Sequence, residues 1–191
     1  NNDVDPRITP KRSFNIIYGS RFTGKTVLLA HFIKEFHLPK KAFPGGILIL
    51  SPSLHDKSWA SIRDRKSVTI LGKCNNDLLF DLIDAQEKAL KTGNCKHILL
   101  VIDDFATQGR GLKALEELAT RGRHLKVTCI ITAQYSKLLP PTVRHNANGV
   151  IMFKMSDSEI DSLGKEGLRC LVDLDDFVHW VKRHTAEPRS F

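Results

Sequence analysis

Residues 19 to 26, Gly19-Ser20-Arg21-Phe22-Thr23-Gly24-Lys25-Thr26, fit the pattern G-x-x-x-x-G-K-[ST], directly after the apolar run Phe14 to Ile17. Glycines at both ends of such a segment let the backbone turn so that successive N–H groups face one concavity. A helix beginning at Lys25 would aim its positive end at the same point, where an anion is stabilised. The chemistry this suits is the binding of a phosphate chain. Lys25 would lie along the β and γ phosphates, and the Thr26 hydroxyl would complete the coordination of a magnesium ion. The cradle runs from Gly19 to Val27. A glycine-rich surface turn with the same letters is the bland alternative, and it does not require a strand before the segment and a helix after it.

Such a loop needs an acid to hold its metal. The stretch "HILLVIDDF" carries a hydrophobic run straight into Asp103 and Asp104. Acids at the carboxyl end of a parallel strand stand at the crevice where open α/β sheets bind ligands. Asp103 is therefore the candidate metal holder, through water, and Asp104 the candidate general base for an attacking water. Asp104 could instead cap the following turn, and its side chain is shorter than glutamate. The run "VTCIITAQ" ends on Gln134. A strand-end amide commonly makes only local hydrogen bonds. Were this strand to lie beside the phosphate loop, Gln134 would face the γ-phosphate or its water and report the bound nucleotide.

These groups need a sheet to present them. Apolar runs at Phe14 to Tyr18, Gly46 to Leu50, Ile98 to Ile102, Val127 to Thr132 and Val150 to Met155 do not alternate with polar residues, as expected of strands buried on both faces. Val68 to Leu71 is a weaker candidate. Helical patterns fall between them, over 25 to 36, along Leu79, Leu82, Ile83, Gln86 and Leu90, and around 111 to 120. Asn76 and Asp77 are candidate caps of the second helix, and Gly93 with Asn94 its stop. Strand and helix alternation predicts an α/β fold with a mainly parallel sheet. Ser156 to Ser158 suggest a further helix start, whereas "RCLVDL" and "FVHWVK" fit a helix or an edge strand equally.

A chain of 191 residues with 41% hydrophobic and 26% charged residues can bury a core of its own, which excludes disordered and fibrous classes. The expected division is an arm over 1 to 13, one domain over 14 to 185 and a tail over 186 to 191. No apolar run approaches the ~20 residues of a membrane span, so a soluble protein is expected. Cys74, Cys95, Cys129 and Cys170 form no C-x-x-C pair and read as reduced, intracellular thiols rather than metal ligands. The net charge of +8 favours a polyanionic partner without identifying it. Its clusters are "PRITPKR", "RDRK" and "RGRHLK".

The segments "GSRFTGKT", "LILSPSLHDKSW", "LLVIDDF", "TRGRHLKVTCIITAQ" and "VRHNANGVIMF", in this order over residues 14 to about 155, resemble the FtsK/HerA superfamily of P-loop ATPases. The resemblance is to its genome-packaging members from poxviruses, related large DNA viruses and virophages. It implies a three-layer, RecA-like fold of the ASCE group with core strand order 5-1-4-3-2, the glutamine strand lying between the phosphate-loop and acidic strands. It implies ATP and Mg2+ as cofactors. It also implies a homo-oligomeric ring, pentameric or hexameric, that threads double-stranded DNA without sequence preference and meets capsid proteins, in the host cytoplasm or viral factory or with the virion.

Within that resemblance, Arg123 corresponds to the arginine finger that reaches the neighbouring subunit's site, with Arg121 in reserve. Arg144 and Asn146 match residues that help read the nucleotide state. Trp59 belongs to a segment for which only packing can be argued. Many superfamily members carry glutamate where this chain has Asp104, a choice also familiar among the viral members. DNA contact would fall to lumen loops such as "FATQGRGLK" (105 to 113) or "RDRK" (63 to 66).

The expected function is thus an ATP-driven, genome-packaging DNA translocase. A nucleotide-gated assembly or scaffold protein, or a non-packaging HerA-type DNA pump, are the alternatives. A small-molecule kinase would need an arginine-rich lid that is not evident, and a GTPase would need an N-K-x-D motif that the chain lacks.

Overall fold

The computed structural model describes residues 12–38, 41–104, 113–168 and 173–187. The expected arm up to residue 11, the lumen-loop candidate over 105–112, residues 169–172 of "RCLVDL" and the last four residues lie outside the described residues.

Six strands form one sheet: β1 (Phe14–Tyr18), β2 (Gly46–Leu50), β3 (Val68–Leu71), β4 (Ile98–Ile102), β5 (Val127–Ala133) and β6 (Gly149–Met152). Their order is β3-β2-β4-β5-β1-β6, and every pairing is parallel. The five principal runs thus take the expected order 5-1-4-3-2, and the weaker candidate Val68–Leu71 joins as an outer strand beside β2.

Burial explains why these runs lack alternation. All five residues of β1 and of β4 and all seven of β5 are buried, because both faces of the sheet are covered. Ile16, Tyr18, Leu100, Ile102, Cys129 and Ile131 point to one face, against Leu79, Ile83, Leu115 and Leu118. Ile17, Ile47, Ile49, Leu99, Val101 and Ile130 point to the other, against Leu28, Leu29, Phe32 and Trp59. The result is three layers, each strand serving two half-cores through its period of two.

The helices that supply those outer layers are α1 (Lys25–Phe32) on the second face and, for the first face, α2 (Asn76–Lys91), α3 (Lys113–Arg121), α4 (Pro141–His145), α5 (Asp157–Leu163) and α6 (Leu174–His184). The cap of α2 is Asn75, not Asn76 or Asp77: its extended backbone lets Oδ1 accept from Leu78 N at 3.0 Å. Asn76 instead receives Ala114 N at 3.2 Å and ties α3 to α2. Thr92 ends the helix, and Gly93 follows at φ 74°, the left-handed exit that glycine permits. "FVHWVK" is helical, since Asp173 caps α6 and Phe177 and Val181 turn inward, one helical turn apart.

Strand β6 is shorter than its apolar run. Beyond Met152 the chain still pairs with the loop after β1: Phe153 N donates to Tyr18 O at 2.8 Å, and Ser20 N to Lys154 O at 3.0 Å. These two bonds tie the start of the glycine loop to the chain after β6.

Among the described residues no helix is long and apolar enough to cross a membrane. Cys74, Cys95 and Cys129 are buried free thiols.

Candidate nucleotide and metal site

Because all six strands run the same way, their carboxyl ends share one edge, and the loop after β1, the acids after β4 and Gln134 after β5 meet there. Both glycines of the loop are sterically required. A Cβ on Gly19 would lie 2.7 Å from the Phe153 Cβ. Gly24 takes φ 104°, in the left-handed region, where other residues are strained.

The loop is held in shape from within. Lys25 Nζ donates to the carbonyls of Gly19 and Ser20, each at 2.7 Å, and Thr23 Oγ1 donates to Ser20 O at 2.9 Å. Burial pulls the Lys25 pKa below the usual lysine range, and the charges of Asp104 and Asp103 oppose that shift. Phe22, at φ 63°, is fully exposed at the loop tip.

Asp103 is only 2% exposed, and three hydroxyls surround it. Thr26 Oγ1 lies 3.2 Å from both carboxylate oxygens. Ser51 donates to Oδ2 at 3.2 Å, and Thr132 to Oδ1 at 3.0 Å. Burial pushes the Asp103 carboxyl up in pKa, and the hydrogen bonds from Thr132, Ser51 and Thr26 hold it down, with the Asp104 charge adding a smaller upward push. The Thr132 oxygen also accepts Asp104 N at 2.9 Å, and the Ser51 oxygen accepts Ser53 N at 3.3 Å. Ser51 and Thr132 therefore both donate and accept, which fixes the orientation of each hydroxyl.

Ser51 and Thr132 escape a reading of the sequence alone. Register is the missing signal: Leu50 pairs with Ile102 and Ile102 with Ile131, so the next residue on each strand falls level, and these are Ser51, Asp103 and Thr132. Polar residues that continue fully buried strands are the trace this leaves in a sequence.

Asp104 has a left-handed backbone, φ 56°, and an exposed side chain whose Oδ1 accepts from Gln134 Nε2 at 2.6 Å. The expected base and the expected phosphate reporter are thus hydrogen-bonded to each other. Lys25, Thr26, Asp103, Asp104 and Gln134 line a cleft of about 580 Å³ whose walls also include Arg21, Phe22, Gly24 and Val27 of the loop and Ser53, Asp56 and Ser58 after β2.

The wall after β2 revises the reading of "SPSLHDKSW" as packing alone. Trp59 is fully buried against the α1 side of the sheet. Asp56 caps the short turn Lys57–Trp59, accepting Ser58 N at 2.7 Å. Arg63 Nη2 donates to Leu54 O at 2.5 Å. The tryptophan anchors a wall of the cleft.

Several predicted residues are not brought to this site. Arg123 lies in the turn before β5, hence at the opposite edge of the sheet. The seven residues of β5 separate it from the cleft by roughly 23 Å at about 3.3 Å per residue. Arg121 is held by Glu87 and Glu117. Arg144 pairs with Glu166 at 2.7 Å and donates to the carbonyls of Ser136 and Leu139, pinning the loop after β5. Asn146 donates to Thr142 O at 2.8 Å and finishes α4.

Sheet order and cradle together make the molecule a P-loop nucleoside triphosphatase by class. Solved structures bear out the fold. The DNA-packaging ATPase B204 from Sulfolobus turreted icosahedral virus superposes with a TM-score of 0.65 at 20% identity, over 91% of this chain and 90% of that one. The genome packaging NTPase B204 from Sulfolobus turreted icosahedral virus 2, in complex with AMPPCP, gives 0.56 at 20% identity, over 81% and 82%. EssC (ATPases 2 and 3) from Geobacillus thermodenitrificans gives 0.59 at 15%, over 80% of this chain and 34% of that one. No curated protein matches significantly by sequence. The chain belongs to the family described as Poxvirus A32 protein, whose model matches residues 10–172.

Proposed function

We propose that the chain is an ATP-hydrolysing translocase of double-stranded DNA that packages a viral genome into a capsid, working as a homo-oligomeric ring in the host cytoplasm or viral factory. What carries the reading is a separation. The cleft has the groups for binding a triphosphate and activating a water, while Arg123, an arginine without a side-chain partner among the described residues, stands at the far edge of the sheet. A second copy would have to supply it. Family membership and the likeness to genome-packaging NTPases that bind ATP analogues support ATP as the nucleotide and DNA as the track.

In this reading Lys25 leaves the carbonyls of Gly19 and Ser20 for the β and γ phosphates, and the amides of the loop take the remaining oxygens. Thr26 and Asp103 present only oxygen donors, which suits Mg2+. That ion would neutralise charge on the phosphates. Asp104 accepts the proton of the attacking water, and Gln134, released from Asp104, turns to the γ-phosphate. Thr132→Val should raise the Mg2+ concentration for half-maximal hydrolysis by about tenfold or more, the usual scale when a ligand's supporting hydrogen bond is removed. An unchanged magnesium titration would refute the hydroxyl's role.

The deciding measurement is ATP hydrolysis per chain, titrated against protein and duplex DNA. Activity should rise with both. A rate that stays flat on dilution and ignores DNA would remove ring and track together. Hydrolysis limited to a single turnover without DNA stimulation would point to a nucleotide-gated assembly protein.

A further inference from the structure

The edge of the sheet opposite the cleft has a charge pattern of its own. Every strand is entered from that side, and the connections bring Lys41 to β2, Arg65 and Lys66 to β3, Lys96 to β4, and Arg123 and Lys126 to β5. Among the described residues of these connections the only carboxylate is Asp64. Backbone conformation marks the same edge. Among the described residues, five that are not glycine have positive φ: Phe22 and Asp104 belong to the cleft, and the other three are Arg12 (62°), Lys41 (44°) and Lys126 (56°), all cations at strand entrances. Such conformations are uncommon for long side chains and concentrate where function holds them. Gln86 steadies the row from behind, donating to Lys96 O at 3.1 Å and to Leu125 O at 2.8 Å.

At the β2–β3 end this edge opens into a groove of about 630 Å³, rimmed by Lys34, Lys41, Arg65 and Lys66 over a floor that includes Phe43 and Ile47, with no carboxylate among its lining residues. Lys34 pairs with Glu35 at 3.0 Å. Lys41, Arg65 and Lys66 have no side-chain hydrogen bond or ion pair among the described residues. Cations at the tips of irregular turns, with no amide or acid side chain lining the groove, match a repeating charge rather than a sequence of bases. From β3 to β5 the charged entrances span three strand spacings of about 4.8 Å, roughly 14 Å, comparable with the ~12 Å width of the major groove of B-DNA.

We propose that the groove of Lys41, Arg65 and Lys66 is where this chain grips the phosphate backbone of duplex DNA. The assignment rests on the translocase reading and selects between its two candidate DNA-binding loops. It leaves Arg123, at the β5 end of the same edge, for the neighbouring copy.

The test is binding of a fluorescent duplex by the full chain at several salt concentrations. Arg65→Glu/Lys66→Glu and Lys41→Glu should each weaken binding by roughly tenfold or more at moderate salt. Each should also flatten the salt dependence by about 0.9 for every phosphate that is no longer neutralised. The control Lys88→Glu/Lys91→Glu reverses two charges in the last turn of α2 that do not line the groove, and should bind nearly as the wild type does. Arg65→Gln/Lys66→Gln, with ATP affinity measured alongside, distinguishes a weakened grip from a damaged fold. If the wild-type chain binds no duplex, the translocase reading itself fails and the groove assignment with it. If the wild type binds and the groove variants match it, or the control falls equally, the groove is not the grip. Unchanged DNA affinity with an altered protein-concentration dependence of hydrolysis would make the edge an interface between copies and overturn the proposal.

Discussion

Lys25→Ala should lower ATP affinity by at least about 30-fold, since truncating one partner of a buried charge pair costs about 2–5 kcal/mol or more. The ammonium is buried at the mouth of the cradle, within 2.7 Å of two loop carbonyls and near two carboxylates whose charges oppose the downward shift of its pKa. Among the described residues that line the cleft, no other supplies a buried cation. Binding of a fluorescent ATP analogue measures the loss directly. Thermal unfolding should be reported beside it, because the carbonyls of Gly19 and Ser20 lose a donor as well, a cost of about 1–3 kcal/mol. Affinity within about threefold of wild type, well under the ~1.4 kcal/mol of a tenfold change, would show that the cradle does not hold the triphosphate.

Arg123→Ala should bind ATP normally and hydrolyse it about 10³ to 10⁵ times more slowly, the range seen when an arginine supplied to a transition state is removed. Arg121→Ala should cost far less, because Glu87 and Glu117 already hold that guanidinium at an exposed position where such pairs contribute little. Mixing is the more demanding experiment. Lys25→Ala binds ATP weakly and Arg123→Ala turns it over slowly, yet a mixed ring contains sites with an intact cradle facing an intact arginine. Recovery of activity on mixing is the expected result. Wild-type hydrolysis by Arg123→Ala alone would eliminate the finger.

Local features of the sequence suffice for the elements around the cradle. The runs at 14–18, 46–50 and 98–102 are strands with those bounds, because burial on both faces leaves a continuous apolar signature. The glycines at 19 and 24 announce a turn, the first because a Cβ would meet Phe153 and the second because its backbone is left-handed. What cannot be read requires neighbours distant in the chain. Ser51 and Thr132 join Asp103 only through register across three strands. Trp59 becomes the anchor of a cleft wall only when α1 is beside it. Asn75 replaces Asn76 as the cap of α2 because α3 offers Asn76 another donor. Arg144 finds Glu166, which lies in a part of the chain whose sequence signals are weak.

The resemblance read from the sequence allows glutamate or aspartate at position 104, and the backbone there offers a reason for Asp104. At φ 56° an aspartate is tolerated several-fold more readily than most side chains, whereas a longer, flexible acid gains nothing from that twist. A shorter arm cannot go out to meet its substrate. Under the proposed function the solvent molecule must be delivered to the carboxylate, so the pace of catalysis would belong to whatever compresses the pocket around it, and an idle subunit would spare its fuel.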